Sequence, residues 1–295
     1  MTTADIVVIG GGCTGASTAF QLVRHGAGRV VLVERKTAGS GPTAKSSGII
    51  RLHYSYEPLV RLAARSRDMF SHFEEITGAT ADFKRTGFLL LASHAHLPAL
   101  KANVALQRSL GLQTCALSPE DVWLLDRRLE LADVGGAAFE PDSGYADGYA
   151  TVAGFVAAGR RETVLAGVLA HDREETVDPD EFNHGVDFDF VESLGRVWAR
   201  RFPGAAEATV HGGFASLYDV TPDWQPILGP VDGMEGLFVA AGFSGHGFKL
   251  SPALGEGLAA MLIGERLAID LSAFRLSRFG NGELIRSRHA QAILG

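Results

Sequence analysis

The sequence predicts an α/β fold, and three observations carry that prediction. Ile6–Ile9 is a short β-branched run that reads as a buried strand. An apolar helical pattern follows through Phe20, Leu22 and Val23 and ends at His25-Gly26. A second strand, Arg29–Glu34 (RVVLVE), completes a strand–turn–helix–strand unit within the first 34 residues.

The turn inside that unit reads GGGCTG, and Gly10, Gly12 and Gly15 satisfy GxGxxG. Gly10 makes the tight turn, Gly12 lets the backbone approach a diphosphate, and Gly15 lets the helix pack close to the strand. The helix amino terminus then offers free N–H groups and positive potential to the phosphates. Glu34 lies 19 residues past Gly15, where an acid hydrogen-bonds a ribose diol. Cys13 and Thr14 sit within the turn, and Cys13 reads as a small packed side chain. The unit is Rossmann-like and predicts a bound dinucleotide. By itself it does not separate NAD from FAD, although a carboxylate at Glu34 disfavours the 2′-phosphate of NADP.

The remaining elements follow in order. Thr37–Gly48 is rich in Gly, Ser and Thr and reads as a loop. Pro58–Ile76 and Leu97–Leu110 read as helices, with Gly87–Ala92 as a strand between them. Short strands are expected near Gly136–Glu140 and over Val164–Ala170. A helix is expected within Glu181–Phe202, stopped by Pro203, and a strand pair over Thr209–Val220. Thr221–Pro230 is a proline-punctuated loop, in which Thr221–Asp223 suits either plain turn chemistry or a place in a site. Leu237–Ala241 reads as a strand and Leu250–Ile263 as a helix, with Ser251 and Pro252 as cap and first position.

Composition narrows the class. The 295 residues are 46% hydrophobic, with a formal net charge of -7. This suits one large domain or two intertwined ones, and it argues against nucleic acid as a partner. Cys13 and Cys115 form no CxxC pair, so no zinc site or disulfide framework is indicated. The opening MTTADIVVIGGG lacks the basic region and cleavage site of a signal peptide, and no apolar run is long enough to span a bilayer. A cytoplasmic protein with no membrane contact is the expectation.

The stretch GFSGHGFK, residues 242–249, places Gly242, Gly245 and Gly247 around His246 and ahead of Lys249. It belongs to a longer string, DVTPDWQPILGP then GLFVAAGFSGHGFKLSPALGEGLA, with SSGIIRLHY, PDSGYADGY and VDPDEFN earlier in the chain. Together these strings resemble the D-amino acid oxidase/sarcosine oxidase superfamily of FAD-dependent oxidoreductases, in its sarcosine oxidase and dimethylglycine dehydrogenase branch. The resemblance implies a Rossmann-like FAD-binding domain with a second, mixed or antiparallel β-sheet substrate domain, the two-domain plan of glutathione reductase. The FAD-binding part would be discontinuous, over 1–82, 140–160 and 227–295. The substrate part would comprise 83–139 and 161–226.

The same resemblance implies oxidation of the C–N bond of a small amino acid or N-methylated amine, by hydride transfer to flavin N5. Arg51 and Lys249 would hold the substrate carboxylate, a task that suits a planar guanidinium. His246 stands beside them as a neighbour of the flavin. Cofactor contacts are expected from the Gly10–Gly15 turn, from Glu34 and Arg35, from Ser46, Ser47 and Gly48, and from Gly242, Gly245, Gly247, Phe248 and Lys249. The glycines of 242–247 would let the backbone lie against the flat ring, beside a helix amino terminus that stabilises charge on the reduced flavin.

Three departures qualify this. Ser216 stands where some branches carry the cysteine that bonds flavin, so FAD is expected to be noncovalent. Thr176 stands where sarcosine oxidase-like relatives place a lysine that promotes oxygen reduction, which leaves a dehydrogenase with another acceptor open. Between Gly159 and Val164 the chain has no room for a further strand–helix–strand unit, so it reads as a shortened member. A partner subunit could compensate. A noncatalytic or degenerate flavoprotein subunit is the alternative this motivates, and an NAD-dependent dehydrogenase is the one the first unit alone permits.

Overall fold

The computed structural model describes residues 4–155, 176–179, 181–205, 208 and 212–286. The expected strand at Val164–Ala170 and the junction at Gly159–Val164 lie outside them.

The first unit forms as the sequence predicts. Strand β1 (Ile6–Ile9) leads through the glycine turn into helix α1 (Cys13–Arg24), and β2 (Val30–Val33) pairs with β1 in parallel. The side chains of β1 alternate, with Ile6 and Val8 half-buried and Val7 and Ile9 exposed. Ile9 is 86% exposed. The expectation of a fully buried strand is therefore corrected. A parallel sheet is normally covered on both faces, but among the described residues β1 hydrogen-bonds only to β2, and α1 covers one face.

A loop holding a short 3-10 turn (Pro42–Lys45) leads to β3 (Ile49–Ile50), then α2 (Glu57–Ser71) and α3 (Phe73–Thr77). The sequence reads α2 and α3 as one helix. The break falls at His72, where Ser71 Oγ donates to the Arg67 carbonyl and His72 Nδ1 lies 2.9 Å from that of Asp68. Such side-chain bonds compete with the helical ladder.

Next come β4 (Phe88–Ala92), α4 (Leu97–Ser109), β5 (Cys115–Leu117), α5 (Pro119–Leu125) and β6 (Gly136–Glu140). Strand β6 is central in an antiparallel sheet ordered β4-β6-β5. Helix α5 escaped the sequence reading despite a capping box between Ser118 and Asp121. Strand β7 (Gly144–Tyr145) pairs antiparallel with β3, and α6 (Gly148–Gly154) follows. Helix α7 (Phe188–Arg201) is tied to the 130–133 loop, where Arg200 and Arg201 both reach Asp133 at 3.1 Å. Of the expected strand pair over Thr209–Val220, residues 209–211 lie outside the described ones, and 212–220 carry no strand.

The chain closes with the antiparallel pair β8 (Ile227–Pro230) and β9 (Phe238–Ala241), then α8 (Gly247–Ile263). Helix α8 starts at Gly247, not Leu250, so Ser251 and Pro252 lie inside it. Pro252 lacks the N–H that would serve the Phe248 carbonyl. Ser251 Oγ donates to that carbonyl at 2.8 Å and replaces the missing bond. Helix α8 is sandwiched between α1 and α2. A Cβ on Gly255 would come within 2.6 Å of the Ser17 backbone, so glycine there permits the close approach of α1. On the other side Ser66 Oγ donates to the Leu250 carbonyl at 3.0 Å, and Leu59, Leu62, Leu250, Leu254 and Leu258 share one core.

Candidate functional site

Two regions hold the predicted site residues. The first is the turn between β1 and α1. Gly10 has φ +108°, a conformation that only glycine adopts readily, and a Cβ there would meet nothing within 4 Å. Gly15 is hemmed in, because a Cβ would lie 1.9 Å from the Gly10 carbonyl oxygen. The turn thus depends on both glycines. Gly12 is the amino-terminal cap of α1 and brings no capping side chain. Thr43 supplies one from a distance, its Oγ1 accepting from Cys13 N–H at 3.1 Å. The sequence had left Thr43 in an unassigned loop. Cys13 is buried in the core, as expected of a packed thiol.

Glu34 sits against the same turn. One carboxylate oxygen accepts from Gly11 N–H and the other from Lys36 N–H, both at 2.8 Å. These bonds, the Lys36 one foremost, hold its pKa below the usual carboxylate range. Its neighbour Arg35 is exposed. Ser47 is exposed too, whereas Ser46 Oγ accepts from Gly48 N–H at 3.1 Å. Gly48 permits a close approach of backbone: a Cβ there would lie 2.1 Å from the Ala146 carbonyl oxygen.

The second region gathers around Arg51 and Lys249. Strand β3 delivers Arg51, which is 4% exposed; its Nη1 donates to the His53 carbonyl and its guanidinium stacks 4.5 Å from the Tyr54 ring centroid. Helix α8 delivers Lys249, whose Nζ donates to the Gly245 carbonyl at 3.1 Å. Burial, and then the positive field of Arg51, push its pKa well down. His246 caps α8 and is buried. Burial, then Lys249 and Arg51, push its pKa well down as well, so it is neutral. The fold therefore brings Arg51, far away in sequence, into one electrostatic neighbourhood with His246 and Lys249.

The glycines between them play another part than expected. A Cβ on Gly242 would lie 2.3 Å from Thr221 Cγ2, on Gly245 3.0 Å from the Tyr218 ring, and on Gly247 3.1 Å from Phe243. They make room for side chains of this chain. Phe248, expected against the cofactor, packs in the core with its ring 5.7 Å from that of Phe70. The Thr221–Asp223 turn is structural. Thr221 Oγ1 donates to the Gln225 carbonyl, and Asp223 pairs with the fully buried Arg278.

Behind Arg51 lies a buried acid–base pair that the sequence did not reveal. Glu140 ends β6 and is fully buried; its Oε2 accepts from Leu52 N–H and Ser143 Oγ, both at 2.7 Å. Its Oε1 is 3.8 Å from His53 Nδ1, and Asn103 Nδ2 lies 3.2 Å from His53 Nε2. Burial, reinforced by Arg51, pushes the pKa of His53 from 6.5 down to about 3.

A pH dependence follows from that shift. Unfolded, His53 titrates near 6.5, so below that pH the unfolded chain takes up a proton that the folded chain refuses. Stability is complete above pH ~6.5 and is lost as pH falls towards 3. His246 acts in the same direction. Glu140, whose pKa burial raises, acts in the opposite one and offsets part of the loss. We expect the urea midpoint to fall between pH 6.5 and 5. His53→Gln should remove about 1.4 kcal/mol per pH unit from that slope. An unchanged slope in His53→Gln would contradict the assignment.

The residues present fit an FAD. The turn is open at Gly10 and heads a helix, as a diphosphate requires. At the other end a buried imidazole nitrogen, His246 Nε2, has no partner among the described residues, and it lies in the field of the cations Lys249 and Arg51. Among the described residues no His, Cys, Asp and Glu cluster suits a metal ion, and no helix is long and apolar enough to cross a membrane.

Comparison with known proteins bears on the family and the fold. The chain is 25% identical to bovine FAD-dependent oxidoreductase domain-containing protein 1, over 95% of this chain and 85% of that protein. That alignment runs to 421 positions, longer than the 295-residue chain, so the relative carries residues this chain lacks. Mouse mitochondrial sarcosine dehydrogenase is 32% identical over 49% of this chain, a match that spans 16% of that enzyme. Among solved structures, L-proline dehydrogenase from P. horikoshii superposes with a TM-score of 0.82 at 21% identity, covering 96% of this chain and 99% of that one. That likeness bears out the two-domain fold of mixed helix and sheet. A family model described as "DAO: FAD dependent oxidoreductase" matches residues 5–166 and 162–261, and by that match the chain belongs to the DAO family of FAD-dependent oxidoreductases.

Proposed function

We propose that this chain binds FAD noncovalently and oxidises the C–N bond of a small amino acid or N-methylated amine. The observation that carries the reading is the convergence of Arg51 and Lys249, two largely enclosed cations on separate elements. Two cations gathered in one enclosed place attract an anion, and a substrate carboxylate has the matching chemistry. The planar fork of Arg51 suits two carboxylate oxygens, and Lys249 adds a point charge. Its pKa, pushed down in the free chain, rises again when the anion binds. The turn at Gly10–Gly15 and the start of α1 would hold the diphosphate. FAD, when bound, supplies the two-electron acceptor. The protein's part is to orient the substrate and neutralise its carboxylate. The division into an FAD-binding part (1–82, 140–160, 227–295) and a substrate part (83–139, 161–226) belongs to this proposal. So does a cytoplasmic setting.

The test is anaerobic absorbance of the FAD-loaded protein with sarcosine, dimethylglycine, glycine and proline. Bleaching of the flavin band is expected with at least one. Lys249→Gln should weaken the binding of that substrate at least tenfold, about 1.4 kcal/mol. A protein that retains no FAD on reconstitution would sink the reading.

A second reading has its own support. The exposed Val7 and Ile9 of β1 and the residues missing relative to the bovine homologue favour a noncatalytic or degenerate flavoprotein subunit. It expects bound FAD that no amine reduces.

A further inference from the structure

Tyr54 joins the two halves of the site. It is fully buried. The Arg51 guanidinium lies over its ring, and the His246 imidazole meets that ring edge-on at 5.3 Å and 73°. Its hydroxyl is 3.5 Å from His246 Nδ1, its one hydrogen-bond partner among the described residues. A buried hydroxyl proton requires an acceptor. Arg51 has donors only, so Nδ1 is the atom available. The Tyr54 hydroxyl therefore donates and Nδ1 accepts. A neutral imidazole carries one proton on nitrogen, and with Nδ1 accepting, that proton sits on Nε2. Nε2 is itself buried and has no partner among the described residues. An unmatched buried donor is costly, and it marks a place where a ligand supplies the acceptor.

We propose that Tyr54 is a positioning residue that fixes His246 as a neutral Nε2–H donor, directed at an oxygen of partial negative charge on the bound ligand. The ligand half rests on the function proposed above. Two sources share that chemistry: a ring carbonyl of FAD and a carboxylate oxygen of the substrate. In either case His246 is not a general base, because Nδ1 is occupied and Nε2 already holds its proton. This goes further than grouping His246 with Arg51 and Lys249, since it assigns the direction of its hydrogen bonds and the residue that sets them.

The test is nitrogen NMR of the full chain labelled with ¹⁵N-histidine, near neutral pH, with the His246 signals assigned by their disappearance in His246→Asn. The FAD-free protein should show a bare Nδ1 and a protonated Nε2. Tyr54→Phe keeps the ring and removes the hydroxyl, and it should collapse that separation towards a tautomeric average. A protonated Nδ1 in the wild type, or signals unmoved by Tyr54→Phe, overturns the positioning role. FAD is then added alone, and afterwards with acetate. A shift of Nε2 with FAD alone assigns the acceptor to the ring carbonyl, and a shift that needs acetate assigns it to the carboxylate. No shift in either arm, with absorbance showing FAD bound, overturns the ligand half. A chain that binds no FAD overturns the proposed function and the ligand half with it, while the tautomer measured without FAD still decides the role of Tyr54.

Discussion

Replacing Asp223 by alanine should cost about 3–5 kcal/mol of folding stability, the cost of leaving a buried charge unpaired. Arg278 has no exposed surface, and it donates from Nε and Nη2 to the two Asp223 oxygens at 2.7 and 2.8 Å. Its remaining donors serve the carbonyls of Phe274 and Gln225, both at 2.8 Å, and of Arg275 at 3.2 Å, and its guanidinium lies 4.1 Å from the Phe279 ring centroid. Burial raises the pKa of Asp223, but Arg278 and the N–H groups of Ile285 and Gln225 more than reverse this and hold it below the usual range. The pair is fully satisfied, so nothing nearby replaces the lost carboxylate. The effect reaches the site, because Thr221 ties this turn to Ser244 beside His246. Urea unfolding of Asp223→Ala measures the loss. The double variant Asp223→Ala, Arg278→Met should recover part of it, since the orphaned charge goes too. A loss below about 1 kcal/mol in the single variant would refute the account.

Gly15→Ala should abolish tight FAD binding, with affinity reduced at least tenfold. The added carbon would stand 1.9 Å from the Gly10 carbonyl oxygen, which is backbone and cannot swing aside. The turn must open, and the start of α1 shifts with it. Gly26→Ala is the matched control. Gly26 has a positive φ, +69°, and open space around it. That variant should lose about 1 kcal/mol of stability to backbone strain and keep FAD affinity within twofold. Fluorescence titration with FAD separates the two. Equal affinities for Gly15→Ala and wild type would mean that the turn does not hold the cofactor.

Much of the fold and part of the site were legible in the chain. Ile6–Ile9, the glycine turn and Gly136–Glu140 were placed because period, turn chemistry and local sterics are properties of neighbouring residues. Arg51, His246 and Lys249 were legible only through family resemblance. Nothing local in IIRLHY or GFSGHGFK says that they meet.

What the sequence determined by itself, then, was local: strand and helix periods, the need for glycine at Gly10 and Gly15, and two motif-bearing segments. What only the tertiary structure decided was partnership. It set Tyr54 against His246, Glu140 behind Arg51 and Thr43 on the start of α1, and turned Asp223 into the counter-ion of Arg278. It filled the space beside Gly242 and Gly245 with Thr221 and Tyr218 rather than leaving it open. It also left Val7 and Ile9 of β1 exposed. The physical reason is common to all of these. Burial and hydrogen-bond satisfaction depend on which residues meet across the folded chain, and a spacing in sequence carries no record of that.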